Sequence, residues 1–143
     1  MSQLTDFNLT PDIVLSRDEH RQLFVLAVAG THPEDDAEWL LHELERAMIV
    51  ADEAIPKNVV RMGSLVRYRN SGGDERTIRL VFPGEADISL GRISVMTPVG
   101  VALLGLREGQ SISYRTRDGR RQALTVVQVR NRPGGDGPGP LAA

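Results

Sequence analysis

The feature that most constrains the fold is a change in apolar periodicity at the Ile55-Pro56 step. Before this step, apolar residues recur about every 3.6 positions, which is typical of amphipathic helices. After it, apolar and polar residues alternate, which is typical of half-buried strands. The residue before a proline disfavours the helical region, so helical structure should end here. The sequence therefore predicts an α+β chain with a helical first part and a sheet-forming second part.

Two helices are predicted in the first part. Ser16-Arg17-Asp18-Glu19 has the spacing of a capping box and predicts a helix over residues 16–29, ended by Gly30. Thr31-His32-Pro33-Glu34 is a second start signal and predicts a helix over residues 34–51. Its apolar stripe consists of Ala37, Leu40, Leu41, Leu44, Ala47, Met48 and Ala51. Two amphipathic helices with a short connection predict an antiparallel hairpin.

The second part contains five short segments with strand periodicity and one short helix. The strands are predicted at residues 64–69, 77–82, 92–96, 111–116 and 122–129, and the helix at 98–104. Asp118-Gly119 is a favoured hairpin turn. We expect a small antiparallel sheet crossed by one helix. The expected organisation is a flexible N-terminus (1–14), a helical hairpin (15–55), a sheet domain (56–131) and a disordered tail (132–143).

Charge is divided unevenly along the chain. Residues 1–56 carry twelve acidic and three basic side chains, whereas residues 57–143 carry fourteen basic and seven acidic ones. An acidic half joined to a basic half indicates that the two parts face different surfaces of a partner. The alternative is an ordinary solvated surface whose halves attract each other.

Candidate catalytic or metal-binding residues are few. The chain has no cysteine, which excludes disulfides and cysteine-based zinc sites. His20 and His42 could meet across the hairpin and hold a metal, although a histidine on the side of a helix is the commoner case. No phosphate-binding glycine loop or nucleophile elbow occurs. We expect no catalytic residue, no cofactor and no metal site, and hence a protein that is not an enzyme.

The sequence also suggests where the protein resides. It contains no apolar run of about 20 residues and no evident signal peptide. We therefore expect a cytoplasmic protein that does not contact a membrane.

Two charged groups are candidate binding sites. An acidic cluster at the expected hairpin tip comprises Glu34, Asp35, Asp36 and Glu38. Such carboxylates could hold Mg²⁺ in the active site of a partner, or could simply complement the dipole of a helix start. The arginines of the second part alternate with apolar residues, as on the outer face of a half-buried sheet. Since aromatic residues that could stack on bases are scarce there, direct nucleic-acid binding is not expected.

A longer motif provides a resemblance to a known family. Residues 92–106, with the sequence RISVMTPVGVALLGL, are followed by Glu108-Gly109. This segment resembles the signature "ISV…(S/T/A)P…A…LLG…G" of the C-terminal domain of the Gre transcript-cleavage factors. Residues 42–47, 59–66 and 80–83 are more similar to the Rnk branch of that family. The resemblance covers about residues 12–130.

The resemblance implies an FKBP-like fold for the second part and binding to bacterial RNA polymerase. Gre-type factors dock on the tip of a coiled coil of the β′ subunit, at the rim of the secondary channel. The corresponding surface in this sequence comprises Met96, Thr97, Pro98, Val99 and Val101. We expect a monomeric regulator of transcription elongation. The alternatives are an FKBP-like peptidyl-prolyl isomerase and a direct regulator of nucleoside diphosphate kinase.

The resemblance also bears on transcript cleavage. Cleavage factors carry an Asp and a Glu three residues apart at the tip of a long coiled coil, where they bring Mg²⁺ to the polymerase active site. Asp35 and Glu38 have that spacing. The predicted hairpin is much shorter, on the order of 27 Å, as in the Rnk branch. We therefore expect no cleavage activity.

Overall fold

The structure, a computed structural model, describes residues 11–29, 36–116 and 118–131. Several sequence-based predictions lie outside these ranges. They concern the N-terminal segment before Pro11, the helix stop at Gly30, the capping signal at residues 31–34 and the tail beyond Asn131.

The first part of the chain contains two helices enclosed by two short strands. Its elements are β1 (Val14–Ser16), α1 (Arg17–Ala29), α2 (Ala37–Arg46) and β2 (Met48–Val50). The predicted first helix is confirmed, and the Ser16 hydroxyl accepts a hydrogen bond from the Glu19 amide at 3.0 Å. The Glu19 carboxylate instead contacts Arg61 at 3.2 Å, so it joins α1 to the second part of the chain.

The predicted end of the second helix was wrong. Helix α2 stops at Arg46, and Ala47 is extended with a ψ of 146°. The Met48 amide donates to the Ile13 carbonyl at 2.9 Å, and β2 continues from there as the parallel partner of β1. Because Ile49 and Val50 are β-branched, they favour this extended pairing over a last helical turn.

The second part forms a five-stranded curled sheet. Its strands are β3 (Leu65–Asn70), β4 (Glu75–Val81), β5 (Arg92–Ser94), β6 (Ser111–Arg115) and β7 (Arg121–Arg130), in the order β5-β4-β3-β7-β6. All five strands were predicted from the sequence. The expectation of a wholly antiparallel sheet was wrong, since β4 and β5 run parallel. The chain returns between them through two short 3₁₀ turns, Pro83–Glu85 and Ile88–Leu90.

The core lies between the inner face of the sheet, helix α3 (Pro98–Leu103) and the two N-terminal helices. From the sheet it receives the inward residues of each strand, among them Val66, Leu80 and Leu124. Leu23 of α1 and Leu40 of α2 are fully buried in the same cluster. Burial of such side chains stabilises a fold by roughly 1.5–3 kcal/mol each, so both parts depend on this common core.

Strand β1 also fixes the first part to the second. The Val14 amide donates to the Gly105 carbonyl at 3.2 Å. Gly105 has a φ of +80°, and a Cβ atom there would lie 2.8 Å from the Cβ of Ile13. Only glycine permits both this backbone conformation and this close approach.

Candidate functional site

The segment that resembles the docking motif lies at the start of α3. The Thr97 hydroxyl accepts a hydrogen bond from the Gly100 amide at 3.1 Å and donates one to the Ser94 carbonyl at 2.8 Å. Pro98 occupies the first turn, where its missing N–H is not needed. A Cβ atom on Gly100 would lie 2.1 Å from the Ser94 carbonyl oxygen, so α3 packs directly on the backbone before it. These contacts hold the segment in one conformation.

Only part of the expected binding surface can meet a partner. Met96 and Val101 are buried, with 2% and 0% of their surfaces exposed, and both belong to the core. The expectation that they belong to an exposed surface was wrong, because Met96, just before α3, and Val101, on α3, both pack into the core. Thr97, Pro98 and Val99 are partly exposed. The Thr97 hydroxyl is already engaged within the chain, which leaves the methyl and ring surfaces of the three residues for contact.

An apolar pocket of about 390 Å³ adjoins these three residues. Its walls include Tyr68, Ile88, Ile93, Pro98, Val99 and Tyr114. Ile88 is 83% exposed and extends the apolar surface of this pocket, and a contiguous apolar surface of this kind often marks an interaction site. Burial raises the pKa of both tyrosines, so their hydroxyl groups stay protonated and can donate hydrogen bonds at neutral pH.

The pocket was not predicted from the sequence. Tyr68 lies on β3 and Tyr114 on β6, and the sheet order brings these distant strands to the same concavity. The third wall comes from the loop around Ile88, which has no periodic signal.

The described part of the acidic tip lies beside the same site. Glu34 and Asp35 are outside the described residues. Asp36 precedes α2, and its amide donates to the Met96 carbonyl at 3.0 Å, whereas Glu38 is exposed in the first helical turn. In the same turn, Trp39 stacks on Tyr114 with ring centroids 6.4 Å apart and planes inclined by 14°. The start of α2 therefore adjoins the start of α3.

The candidate metal-binding histidines have other surroundings. The Nε2 atom of His20 lies 3.1 Å from the Leu44 carbonyl, His42 is exposed on α2, and His32 is outside the described residues. Within residues 11–29, 36–116 and 118–131, no three potential metal-binding side chains form a group. In those same ranges no helix has the length and apolar character needed to cross a bilayer.

Comparisons with known proteins agree with this geometry. The family model described as "Transcription elongation factor, GreA/GreB, C-term" matches residues 55–131. The "Regulator of nucleoside diphosphate kinase" of Escherichia coli K12 is 42% identical over 98 residues, which cover 68% of this chain and 72% of that protein. "Transcription elongation factor GreA" of Chloroflexus aggregans is 38% identical over 92 residues, or 64% of this chain and 58% of that protein.

A solved structure extends the likeness to the whole arrangement. The "Prokaryotic transcription elongation factor GreA/GreB from Nitrosomonas europaea" superposes with a TM-score of 0.67 and 35% identity, covering 85% of this chain and all of that one. The helices, the curled sheet and the short α3 thus define a Gre-type transcription factor. The chain belongs to the GreA/GreB family and is similar within it to the regulator of nucleoside diphosphate kinase.

Proposed function

We propose that this protein is a non-enzymatic regulator of transcription that binds RNA polymerase at the rim of its secondary channel and does not stimulate transcript cleavage. It uses what we call the docking surface: Thr97, Pro98 and Val99, the adjoining pocket, and Ile88. The observation that carries the proposal is the coincidence of the family motif with this exposed apolar concavity. The family relationship supports RNA polymerase as the partner.

The chemistry of the docking surface suits a protruding apolar side chain. Interfaces depend on a few well-packed anchors, and a pocket of this kind is where such an anchor becomes fully desolvated. Because α3 and its capping contacts hold Pro98 and Val99 in place, little conformational entropy is lost on binding. The tip of the β′ coiled coil supplies an anchor of this kind in our proposal.

The sheet is FKBP-like in the same proposal, and the protein acts in the cytoplasm as a monomer.

The position of Asp36 and Glu38, the described part of the acidic tip, supports the absence of cleavage activity. We interpret α1 and α2 as a short antiparallel hairpin, since His20 near the start of α1 contacts Leu44 near the end of α2. The Asp36 amide is bonded to Met96, which holds the start of α2 beside the docking surface. A carboxylate held there is not at the end of a long arm, as delivery of Mg²⁺ to the polymerase active site would require.

The docking surface can be tested with Ile88→Asp and a matched control, Met48→Asp. Both replace an exposed apolar side chain, but Met48 belongs to β2 and does not line the pocket. Biolayer interferometry with purified core polymerase should show that Ile88→Asp raises the Kd at least about tenfold, or about 1.4 kcal/mol, whereas the control changes it little. Equal affinities for both variants and the wild type would exclude this surface.

The same proteins test the effect on transcription. In a backtracked elongation complex, the wild type should not stimulate RNA cleavage but should inhibit a cleavage factor added with it, and Ile88→Asp should lose this inhibition. Stimulated cleavage by the wild type would contradict the proposal. A prolyl-isomerase activity is not favoured by the relatives, which are named as regulators or transcription factors.

A further inference from the structure

The outer face of the curled sheet collects arginines from all five strands. The register places Arg79, Leu65 and Arg130 side by side across β4, β3 and β7, and Arg92 of β5 next to Arg79. Further along, Arg115 of β6 lies opposite Arg121 of β7. The complete set is Arg67, Arg69, Arg79, Arg92, Arg115, Arg121 and Arg130. We call this surface the arginine face.

Asp87 lies beside Arg92 at the edge strand β5, whereas the other arginines have little negative charge on the same face. Among the described strand residues that share this face, Glu75 is the one carboxylate. It accepts hydrogen bonds from Arg67 at 3.0 Å and from Arg69 at 2.7 Å, and these bonds hold its pKa below the usual range. Arg79 donates to the Gly63 carbonyl at 2.7 Å, so its guanidinium is also held in position. The face therefore keeps a strong positive charge that an ordinary mixed surface would not have.

The arginine face contains a shallow depression of about 230 Å³. It is lined by Leu65, Arg67, Thr77, Gln128 and Arg130. Two arginine side chains thus line a concavity whose other polar residues are a threonine and a glutamine. Guanidinium forks match the geometry of phosphate oxygens, and hydroxyl and amide groups are common additional phosphate contacts.

We propose that the arginine face binds the phosphate backbone of duplex DNA without regard to sequence. The described outward strand residues include no aromatic side chain, because Tyr68 and Tyr114 face the pocket on the opposite side. Single strands bind largely by stacking on such rings, so a duplex fits this face better. The sequence alone favoured an ordinary outer face for the same arginines, because the register that brings them together is not visible in it.

The choice of DNA among duplexes rests on the proposed function, since RNA polymerase works on duplex DNA. The depression of the arginine face and the docking surface lie on opposite sides of the sheet, and Arg92, on the edge strand β5, also lines the pocket of the docking surface. One molecule could then contact polymerase with one face and DNA with the other. Binding to DNA can be measured without polymerase, so its failure is distinguishable from failure of the proposed function.

The test measures anisotropy of a fluorescein-labelled duplex of about 20 base pairs at several salt concentrations. The double variant Arg67→Gln with Arg130→Gln removes both arginines of the depression. The control, Arg17→Gln with Arg21→Gln, removes the same charge from exposed positions of α1. We expect the first variant to raise the Kd at least about fivefold and to reduce the slope of log Kd against log salt by about 2, or about 1 for each phosphate that is no longer neutralised. The control should leave the slope unchanged.

A third variant should change the affinity for DNA in the opposite direction. Glu75→Gln removes the carboxylate of the face and releases Arg67 and Arg69, so it should bind the duplex more tightly and with a steeper salt dependence. Equal losses of affinity in the two arginine double variants would overturn the proposal, since net charge alone would then account for binding. Tighter binding of the single strand, or binding to phosphatidylserine vesicles in preference to the duplex, would overturn it as well.

Discussion

Substitution of Gly100 by alanine tests whether α3 is wedged against the backbone that precedes it. The new methyl group would lie 2.1 Å from the Ser94 carbonyl oxygen and 2.8 Å from the Cα of Val95, whereas ordinary contacts begin at 3.4 Å. To relieve the clash, α3 must move by more than 1 Å relative to Ser94. This movement would stretch both hydrogen bonds of the Thr97 hydroxyl.

The size of the effect follows from three contributions. Overpacking of a core costs about 1–3 kcal/mol, and two weakened hydrogen bonds cost about 1–2 kcal/mol. Replacing glycine by alanine within a helix stabilises the helix by about 1 kcal/mol. We therefore expect the free energy of unfolding to fall by about 1–4 kcal/mol.

Urea denaturation, followed by the fluorescence of Trp39, the single tryptophan, measures this change. With a urea slope of about 2 kcal/mol/M, the midpoint should fall by about 0.5–2 M. Gly84→Ala is the control, because a Cβ atom at Gly84 would meet nothing within 4 Å and its midpoint should stay close to that of the wild type. If Gly100→Ala unfolds at the same urea concentration as the wild type, the close packing of α3 on Ser94 does not limit stability.

Two further predictions concern the start of α1. Burial raises the pKa of Glu19 despite the opposing charge of Arg61, so the folded state holds this proton more tightly than the unfolded chain. The Glu19 contribution to stability is thus greatest below its ordinary pKa of 4.5 and is lost as the pH rises through the pKa of the folded state. In urea titrations from about pH 4 to pH 7, Glu19→Gln should remove this loss of stability. Identical pH profiles for the variant and the wild type would contradict a raised pKa of Glu19. Ser16→Ala should lower the free energy of unfolding by about 1 kcal/mol, because the Glu19 amide loses its capping partner. A difference near zero in urea denaturation would show that the hydrogen bond from the Glu19 amide to the Ser16 hydroxyl does not contribute to stability.

Local signals predicted much of this fold. Ser16 and Glu19 marked the start of α1, and alternation located all five strands of the sheet within a few residues. These features depend on neighbours in sequence, which is why they are visible without a structure.

Features that depend on distant partners were not predicted. Residues 48–50 became a strand because the Ile13 backbone, far earlier in the chain, offers a hydrogen-bonding edge. The motif around Thr97 was recognised, but the burial of Met96 and Val101 depends on how this segment packs against the rest of the core. The arginine face required the pairing of all five strands, which no single segment encodes.

The close contact between Gly105 and Ile13 limits how such a chain can change during evolution. The segment that matches the family model begins at residue 55, yet Ile13 and Leu15 fill the core of the sheet from outside that segment. A recombination event that exchanged only residues 55–131 would bring in a sheet whose core residues are complementary to a different N-terminal strand. We therefore expect substitutions at Ile13 and around Gly105 to occur as correlated pairs.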